Sequence, residues 1–443
     1  MPTARNTTNG TGAVMPIELN ATHDPQRRSW VESANAPDSD FPIQNLPFGV
    51  FDDGQVARGG VALGASIIDL SALIASGLIS GPAAQAASGA SLLPLFSQPR
   101  ETVSALRAAL SDLYREGSEG ARAGAEAALV PMASAELLMP AKPTAFTDFC
   151  TSADHILRMA TNGGRAPQPA WATLPVAYNG RASSVAASGV PVVRPVGQFV
   201  PRGTERMVVG PEPMLDFELE FGAWLGGPVN VLGETIDMIR ADELLFGCCL
   251  VNDWSARGIQ FYEMLLGPHL GKSFLTTISP WVVTMEALAP FRVAARGRTA
   301  DQPDIPAYLD DPFDRAAGGL NVELTAELDT GSGLATIVRT NAAELFWTLA
   351  QMVAHQASGG APLETGDLIA TGTVSGSADE ARACLVEITR LGQEPLTLPD
   401  GTRRVMLEDG DTLTLRGKAR AEGYVPIGFG PCSGTIMPAK AAA

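Results

Sequence analysis

Cysteines are few in this sequence, and none of them forms a CxxC motif. The five cysteines are scattered over 443 residues, at positions 150, 248, 249, 384 and 432. This pattern excludes the disulfide framework of a small secreted domain, and it favours a reducing compartment, the cytoplasm. The first 40 residues are polar and rich in Asn, Thr, Ser and Pro, so we expect no secretory signal.

Long apolar runs and an excess of positive charge are also missing. The most apolar stretch, residues 61–95, is interrupted by Asp69 and by several Gly residues. It is too broken for the roughly 20 apolar residues of a membrane-spanning helix. Lys and Arg number 31 against 48 Asp and Glu, a net charge of −17. Nucleic acid and anionic membranes attract basic surfaces, so we exclude both as main partners, but a small anionic substrate remains open.

The chain does have enough apolar residues, 45%, to bury large cores. We expect a flexible extension over residues 1–28, an N-terminal domain over residues 29–143 and a C-terminal domain over residues 144–443. Short strand patterns separated by Gly and Pro turns predict a mainly β fold of the α+β class, with a rolled or barrel-like second domain. Asp-Gly pairs at 400–401 and 409–410 predict hairpins within residues 396–416.

An acidic alternation marks residues 215–221, which read LDFELEF. Side chains two residues apart on a strand share a face, so Asp216, Glu218 and Glu220 face one side and the apolar residues the other. If the apolar face enters a core, the carboxylates are presented together. The alternative is a solvated strand face, which is the commoner outcome for such a pattern.

Two further acids lie beside apolar segments. Asp253 follows the apolar run 246–251, and Asp148 lies between two phenylalanines. A buried acid needs a partner, and four carboxylates can converge on one hard cation. Oxygen ligands suit Mg²⁺ or Ca²⁺ better than Zn²⁺. For Asp253 the alternative is a salt bridge to Arg257.

Among the four histidines, His155 is the best candidate for a general base, although a lone histidine is more often structural. Glu387 lies in an alternating run, residues 385–388, where an inward carboxylate would need a proton partner such as His155. Lys272 follows a glycine-framed turn from which it can approach a metal site, or it is a plain surface lysine. Nucleotide-binding and serine-hydrolase motifs are absent.

Five long stretches carry a resemblance that no short motif could: residues 40–51 (DFPIQNLPFGVF), 174–184 (LPVAYNGRASS), 251–257 (VNDWSAR), 271–274 (GKSF) and 371–376 (TGTVSG). The order and length of these stretches are similar to those of the fumarylacetoacetate hydrolase family. The chain resembles that family from about residue 30 to residue 439. The resemblance implies a small SH3-like N-terminal barrel, a C-terminal β-roll catalytic domain and a homodimer.

The resemblance also implies roles for particular residues. The metal ligands, for Mg²⁺ and/or Ca²⁺, would be Asp148, Glu218, Glu220 and Asp253, with Lys272 and Thr276 lining the same site. The catalytic residues would be His155 and Glu387, which activate water, and Arg257, Gln260 and Lys272, which stabilise developing negative charge. The substrate contacts would be Tyr178, Thr373 and, at a position shifted by one, Arg165. Two departures, Cys150 and Met264, stand where the family usually has tyrosines of the substrate pocket.

The implied reaction is metal-dependent hydrolysis of the carbon–carbon bond of 4-fumarylacetoacetate, which ends tyrosine and phenylalanine breakdown. Three alternatives stay open: a hydrolase of another β-diketone or acylpyruvate on the same site, a decarboxylase or isomerase of the same fold, and a metal-binding scaffold without activity. Because decarboxylation needs no activated water, the presence of both His155 and Glu387 favours hydrolysis.

Overall fold

The fold is described by a computed structural model that covers residues 17–263 and 266–440. The N-terminal domain contains five strands and five helices: β1 Phe48–Asp52, β2 Arg58–Leu63, β3 Ser66–Asp69, α1 Leu70–Ala75, α2 Pro82–Ala87, α3 Leu93–Phe96, α4 Arg100–Tyr114, α5 Arg122–Ala127, β4 Leu129–Pro131 and β5 Glu136–Leu138. The strands form one antiparallel sheet in the order β4-β3-β2-β1-β5, as expected of the predicted SH3-like barrel.

The C-terminal domain is dominated by strands: β6 Phe146–Cys150, β7 Val176–Asn179, β8 Val185–Ala187, β9 Val192–Val193, β10 Val196–Phe199, β11 Val208–Pro211, β12 Leu215–Asp216, β13 Leu219–Leu225, β14 Leu245–Asp253, β15 Ser255–Ala256, β16 Thr276–Ile278, β17 Val283–Thr284, β18 Arg292–Val293, β19 Gly319–Leu320, β20 Val322–Asp329, β21 Leu334–Asn341, β22 Leu368–Ala370, β23 Leu396–Thr397, β24 Arg403–Arg404, β25 Thr412–Ala419, β26 Ile427–Gly428 and β27 Cys432–Met437. Its helices are α6 Ala153–Asn162, α7 Met238–Leu244, α8 Arg257–Glu263, α9 Met285–Leu288, α10 Pro312–Ala317, α11 Leu349–Gln356 and α12 Leu385–Ile388. The prediction of a mainly β fold of the α+β class is confirmed.

A large mixed sheet organises this domain, in the order β7-β6-β22-β13-β14-β16-β8. Strand β13 shows how its two faces differ: Leu219, Phe221 and Ala223 enter the main core, whereas Trp224 enters the core of the N-terminal domain. Because successive side chains point to opposite faces, Glu220 shares the face of Trp224. A second, six-stranded sheet, in the order β21-β20-β25-β27-β9 with β26 paired to β25, closes the other side of the main core.

The N-terminal domain covers one end of the face on which Trp224 lies. Phe146 of β6, Val251 of β14 and Ile278 of β16 are all buried in its core. Asp148, Asp253 and Thr276 lie on the same three strands, each two residues from the buried residue and on the same face of the sheet. The packing between the domains therefore fixes the strand ends that carry the candidate metal ligands.

Four local expectations from the sequence are wrong in part. Residues 17–28, expected in a flexible extension, are packed onto α4 and the core, with Thr22 and His23 buried, because Asn20 and His23 hydrogen-bond to Glu286.

Residues 385–388 form a turn of helix rather than a strand. The hairpin at 400–401 forms between β23 and β24, but after 409–410 the chain pairs with β20 and β27 instead of β24. The strand expected over residues 215–221 is broken at 217–218. Residues 1–16 lie outside the described residues.

No helix within the described ranges combines the length and apolarity that crossing a bilayer requires.

Burial of Asp314 on α10 makes the stability of the fold depend on pH. This carboxyl is 4% exposed, and burial is the main reason why its pKa rises from an ordinary value of 3.8 to about 7. The folded state therefore binds the proton more tightly than the unfolded state, so stability is lost as the pH rises from about 4 to about 7. The loss is at most about 4 kcal/mol.

We expect Asp314→Asn to remove that loss, since an amide oxygen can still accept the hydrogen bond of Thr348. The measurement is the free energy of unfolding in denaturant between pH 4 and pH 8. Asp38→Asn, an exposed position, is the control and should keep the wild-type pH profile. An Asp314→Asn profile parallel to that of the wild type would contradict the assignment.

Candidate active site

Four carboxylates carried by β6, β13 and β14, with β22 lying between β6 and β13, meet at one point on the large sheet. Asp148 lies on β6, Glu220 on β13 and Asp253 at the end of β14, while Glu218 directly precedes β13. Each offers an oxygen within 4.8 Å of the oxygens of the others. None is more than 6% exposed, so the solvated strand face is excluded for Glu218 and Glu220. Asp216, predicted on the same face, does not join them because the strand is broken at 217–218.

Two of the four carboxylates are satisfied by neighbouring side chains. Asp253 accepts hydrogen bonds from Lys272 (2.7 Å), Thr276 (2.8 Å) and Tyr178 (2.7 Å). Glu218 pairs with Lys272 and with Arg257, the latter at 2.8 Å. The salt bridge considered between Asp253 and Arg257 is therefore replaced by one to Lys272, which is buried and is not a surface lysine.

The other two carboxylates leave buried oxygens without partners. Oδ1 of Asp148 and both carboxylate oxygens of Glu220 accept no hydrogen bond in the described part of the chain. A buried ionised oxygen without a partner is costly, and a bound cation would satisfy it. Several carboxylate oxygens with no His or Cys among them are the donor set of a hard divalent ion. The residues present thus fit a site for Mg²⁺ or Ca²⁺.

The electrostatics of the cluster point the same way. Burial, and then the charges of the neighbouring carboxylates, raise the pKa values of Asp148 and Glu220 well above the ordinary range. Burial also acts to raise the pKa of Glu218, but the charges of Lys272 and Arg257 outweigh it and lower that pKa. Only two cationic side chains, Lys272 and Arg257, thus balance the four carboxylates. The negative charge that remains favours the binding of a cation.

A second pair of groups, His155 and Glu387, lies next to this cluster. His155 is held in the first turn of α6, where its N–H donates to Oγ of the capping residue Ser152 (3.1 Å). Its Nδ1 is 2.6 Å from Oε1 of Glu387, which also accepts from Ser375 (2.6 Å). Burial acts to raise the pKa of Glu387, but His155 and Ser375 outweigh it and lower that pKa. The ionised carboxylate therefore holds a proton on Nδ1 and leaves Nε2 of His155 free to accept one.

A cavity of about 500 Å³ opens onto both groups. Of the residues predicted from the sequence, it is lined by Asp148, His155, Arg165, Tyr178, Glu218, Arg257, Gln260, Lys272 and Thr373. Glu220, Asp253 and Glu387 do not line the cavity, although each contacts or lies beside a residue that does. Thr276 does not line it either and donates to Asp253. Arg165 is exposed. Met264 lies outside the described residues.

Sequence reasoning missed two residues that contact Glu387. Ser375 lies in the TGTVSG stretch, which carried a signal, but its contact with Glu387 depends on a turn that the sequence does not predict. Arg158, whose Nη1 is 3.5 Å from Oε2 of Glu387, follows His155 by three residues on the same helix. That spacing places both on one face and could have identified it.

Comparisons with known proteins agree with this geometry. The family described as "Fumarylacetoacetate (FAA) hydrolase C-terminal" matches residues 144–437, and "Fumarylacetoacetase N-terminal" matches residues 44–140. This chain belongs to the fumarylacetoacetate hydrolase family. It is 40% identical over 436 residues to a fumarylacetoacetase of Oryza sativa subsp. japonica, which covers 93% of this chain and 97% of the relative. It is 39% identical over 428 residues to the fumarylacetoacetase of Homo sapiens, with coverage of 91% and 98%.

The predicted membership in the fumarylacetoacetate hydrolase family, and with it the prediction of a hydrolase, is confirmed by these matches. A solved fumarylacetoacetate hydrolase from Exiguobacterium antarcticum is 18% identical, with a TM-score of 0.48, and covers 89% of this chain and 100% of its own.

Gly372 lies between β22 and the loop that carries Thr373 and Ser375, and its backbone packs against strand β6. Its φ is +73°, and a Cβ at this position would lie 2.1 Å from the carbonyl oxygen of Phe149. We expect Gly372→Ala to cost about 3 kcal/mol or more, because left-handed strain adds to a backbone clash that cannot relax. Gly401→Ala is the matched control, since its φ is +88° with open space around it. It should cost only about 1 kcal/mol in the same denaturant titration. Equal costs would contradict the clash.

Proposed function

We propose that this protein hydrolyses the carbon–carbon bond of 4-fumarylacetoacetate to give fumarate and acetoacetate, a step of tyrosine and phenylalanine catabolism. The observation that carries the proposal is that Asp148 and Glu218 of the carboxylate cluster and His155 of the His155–Glu387 pair line one cavity. The fumarylacetoacetases that match more than 90% of the chain support the same substrate.

Asp148, Glu218, Glu220 and Asp253 would hold a divalent ion, Mg²⁺ or Ca²⁺, with Lys272 and Thr276 fixing two of these carboxylates. A divalent ion at this position supplies Lewis acidity to the oxygens of a 1,3-diketone. The ion would also satisfy Oδ1 of Asp148 and both carboxylate oxygens of Glu220, which accept no hydrogen bond from the described residues.

The chain's own residues move the proton. Glu387 holds the proton on Nδ1 of His155 and orients the ring, and Nε2 takes a proton from water as that water adds to the ketone next to the fumaroyl group. When the resulting oxyanion collapses to the carboxylic acid of fumarate, the carbon–carbon bond breaks and its electron pair leaves with the acetoacetate part as an enolate. The proton held on Nε2 of His155 then passes to that enolate carbon. Lys272 and Arg257 place positive charge beside the oxygen that becomes negative. Because Oε1 of Gln260 accepts from Arg257 (3.1 Å), its amide N–H groups remain free to donate there.

Three residues are suited to contact the substrate. Thr373 presents a buried hydroxyl that has no hydrogen-bond partner among the described residues, and Tyr178 lines the cavity while it donates to Asp253. Arg165 lines the cavity and forms no ion pair within the described residues, so it is available to a terminal carboxylate. Cys150 is not a nucleophile for this reaction, because burial raises the pKa of its thiol to about 12 and keeps it protonated.

A hydrolase of another β-diketone or an acylpyruvate on the same site is the second candidate, because Cys150 changes the lining of the cavity where the family usually has a tyrosine. A decarboxylase would have no need of the water that the His155–Glu387 pair can activate. We further propose a cytoplasmic homodimer. Five unpaired cysteines favour a reducing compartment. Apolar residues exposed on the hairpin β10–β11, among them Val209 at 67% exposure, favour a protein partner.

Purified protein should remove the enol absorbance of fumarylacetoacetate, and EDTA should abolish the reaction. Turnover of acylpyruvates alone would favour the second candidate. Absence of any turnover that depends on a metal would overturn the proposal.

Mg²⁺, Mn²⁺ or Ca²⁺ should raise the melting temperature of the protein, because only the folded state assembles the four ligands. Saturation at about 100 times the dissociation constant corresponds to about 2.7 kcal/mol. In Glu220→Gln the shift should vanish, since the amide keeps the shape but loses the charge. Asp314→Asn, a buried acid outside the cluster, should retain it. A full shift in Glu220→Gln would sink the assignment.

His155→Ala should lower kcat by about 10² to 10⁴ fold, the usual contribution of a general base. The melting-temperature shift with Mg²⁺ should remain, because His155 is not among the four ligands. His355→Ala, which removes a histidine paired with Tyr308, is the control and should keep its activity. Normal turnover in His155→Ala would contradict the assigned base.

A further inference from the structure

Asp216 is a buried carboxylate that three separate parts of the chain contact. It is 0% exposed and lies at the end of β12, outside the group of four ligands. Its Oδ1 accepts from the N–H groups of Phe217 (2.8 Å) and Leu385 (2.7 Å). Its Oδ2 accepts from the N–H of Val386 (3.0 Å) and from Nε of Arg257 (2.9 Å). Every donor comes from the strand break, from α12 or from the start of α8.

The contacts with Leu385 and Val386 determine where Glu387 lies. Helix α12 has only four residues, too few to be stable alone. Its N-cap residue, Cys384, makes no side-chain cap. Asp216 takes over that function by accepting from the first two N–H groups of the helix, next to Glu387 in its first turn. The position of the carboxylate that orients His155 therefore depends on Asp216.

The contact with Arg257 determines where its guanidinium lies. Nε is held by Asp216, while Nη1 reaches Glu218 (2.8 Å) and Gln260 (3.1 Å) at the cavity. Because the guanidinium is a rigid planar group, fixing Nε also fixes the direction of Nη1. Without the charge of Asp216, Arg257 would be free to turn fully toward Glu218.

We propose that Asp216 is a positioning residue that couples Arg257 to the His155–Glu387 pair. It does not line the cavity, so it acts through these groups and does not contact the substrate. Asp216 thereby sets the distance between His155, the base, and Arg257, whose positive charge stabilises the oxygen that becomes negative when water adds. As far as it concerns turnover, this inference rests on the proposed function.

The first test is Asp216→Asn. An asparagine keeps one acceptor oxygen, but its NH₂ group would face donors, Val386 N–H and Arg257 Nε. With fumarylacetoacetate, we expect kcat to fall about 100-fold while KM changes less than about threefold, because Tyr178, Thr373 and Arg165 still bind the ground state. A variant with wild-type kcat would overturn the inference.

The second readout needs no turnover. The proton between His155 Nδ1 and Glu387, at 2.6 Å, should give a low-field ¹H NMR signal in the wild type that His155→Ala lacks. In Asp216→Asn this signal should shift or broaden, because Glu387 moves. An unchanged signal would count decisively against the coupling, even if the activity fell.

Asp242→Asn is the matched control. Asp242 is also a buried aspartate paired with an arginine, Arg292 at 2.7 Å, but on α7 and away from the cavity. We expect wild-type kcat and an unchanged low-field proton. If Asp242→Asn lost activity as Asp216→Asn does, the effect would be a general cost of such substitutions and the inference would be wrong.

The two proposals fail separately. If the wild type does not hydrolyse fumarylacetoacetate, the proposed function fails, and the low-field proton still decides the coupling. If Asp216→Asn does not fold, the α-hydroxy analogue of valine at position 386 keeps Asp216 and replaces the N–H that donates to it by an ester oxygen. The low-field proton should then shift to a smaller extent, and no shift would overturn the inference.

Discussion

The rest of the site depends on the burial of four like charges at one place on a sheet. Carboxylate oxygens within 4.8 Å of one another repel strongly when water is excluded. Lys272 and Arg257 compensate part of that charge by pairing with Glu218 and Asp253. What remains uncompensated favours either protons or a cation. This electrostatic requirement is the physical basis for expecting a metal-dependent enzyme.

The sheet maintains this arrangement because its strands also carry the packing between domains. On β14, Val251 enters the N-terminal core, and Asp253, two residues further on, enters the carboxylate cluster. The same relation holds on β6 between Phe146 and Asp148, whereas on β13 Trp224 lies four residues from Glu220 on the same face. Each candidate ligand is thus next to a fully packed residue, and strand ends of this kind move little. The same alternation of side chains along these strands therefore places both the residues that pack the domains together and the carboxylates of the cluster.

The proposed base, His155, is positioned in a different way, by short elements that depend on side-chain contacts. His155 and Glu387 are 232 residues apart in sequence, and each lies in the first turn of a helix. Ser152 caps the helix of His155, whereas the helix of Glu387 has no cap of its own. The arrangement explains why several polar residues surround this pair, including the buried Ser375 and the half-buried Arg158.

The sequence by itself determined the features that depend only on local patterns of residues. The mainly β fold, the buried strand ending at Asp253 and the paired acids Glu218 and Glu220 all follow from alternation, and the family follows from five long stretches. Only the tertiary structure decided the rest. It folded residues 17–28 onto the core, turned residues 385–388 into helix and separated Asp216 from the other acids. The physical reason is that partners such as Glu286, Arg257 and Lys272 come from distant segments, and a sequence pattern does not encode which distant charge a buried group will meet.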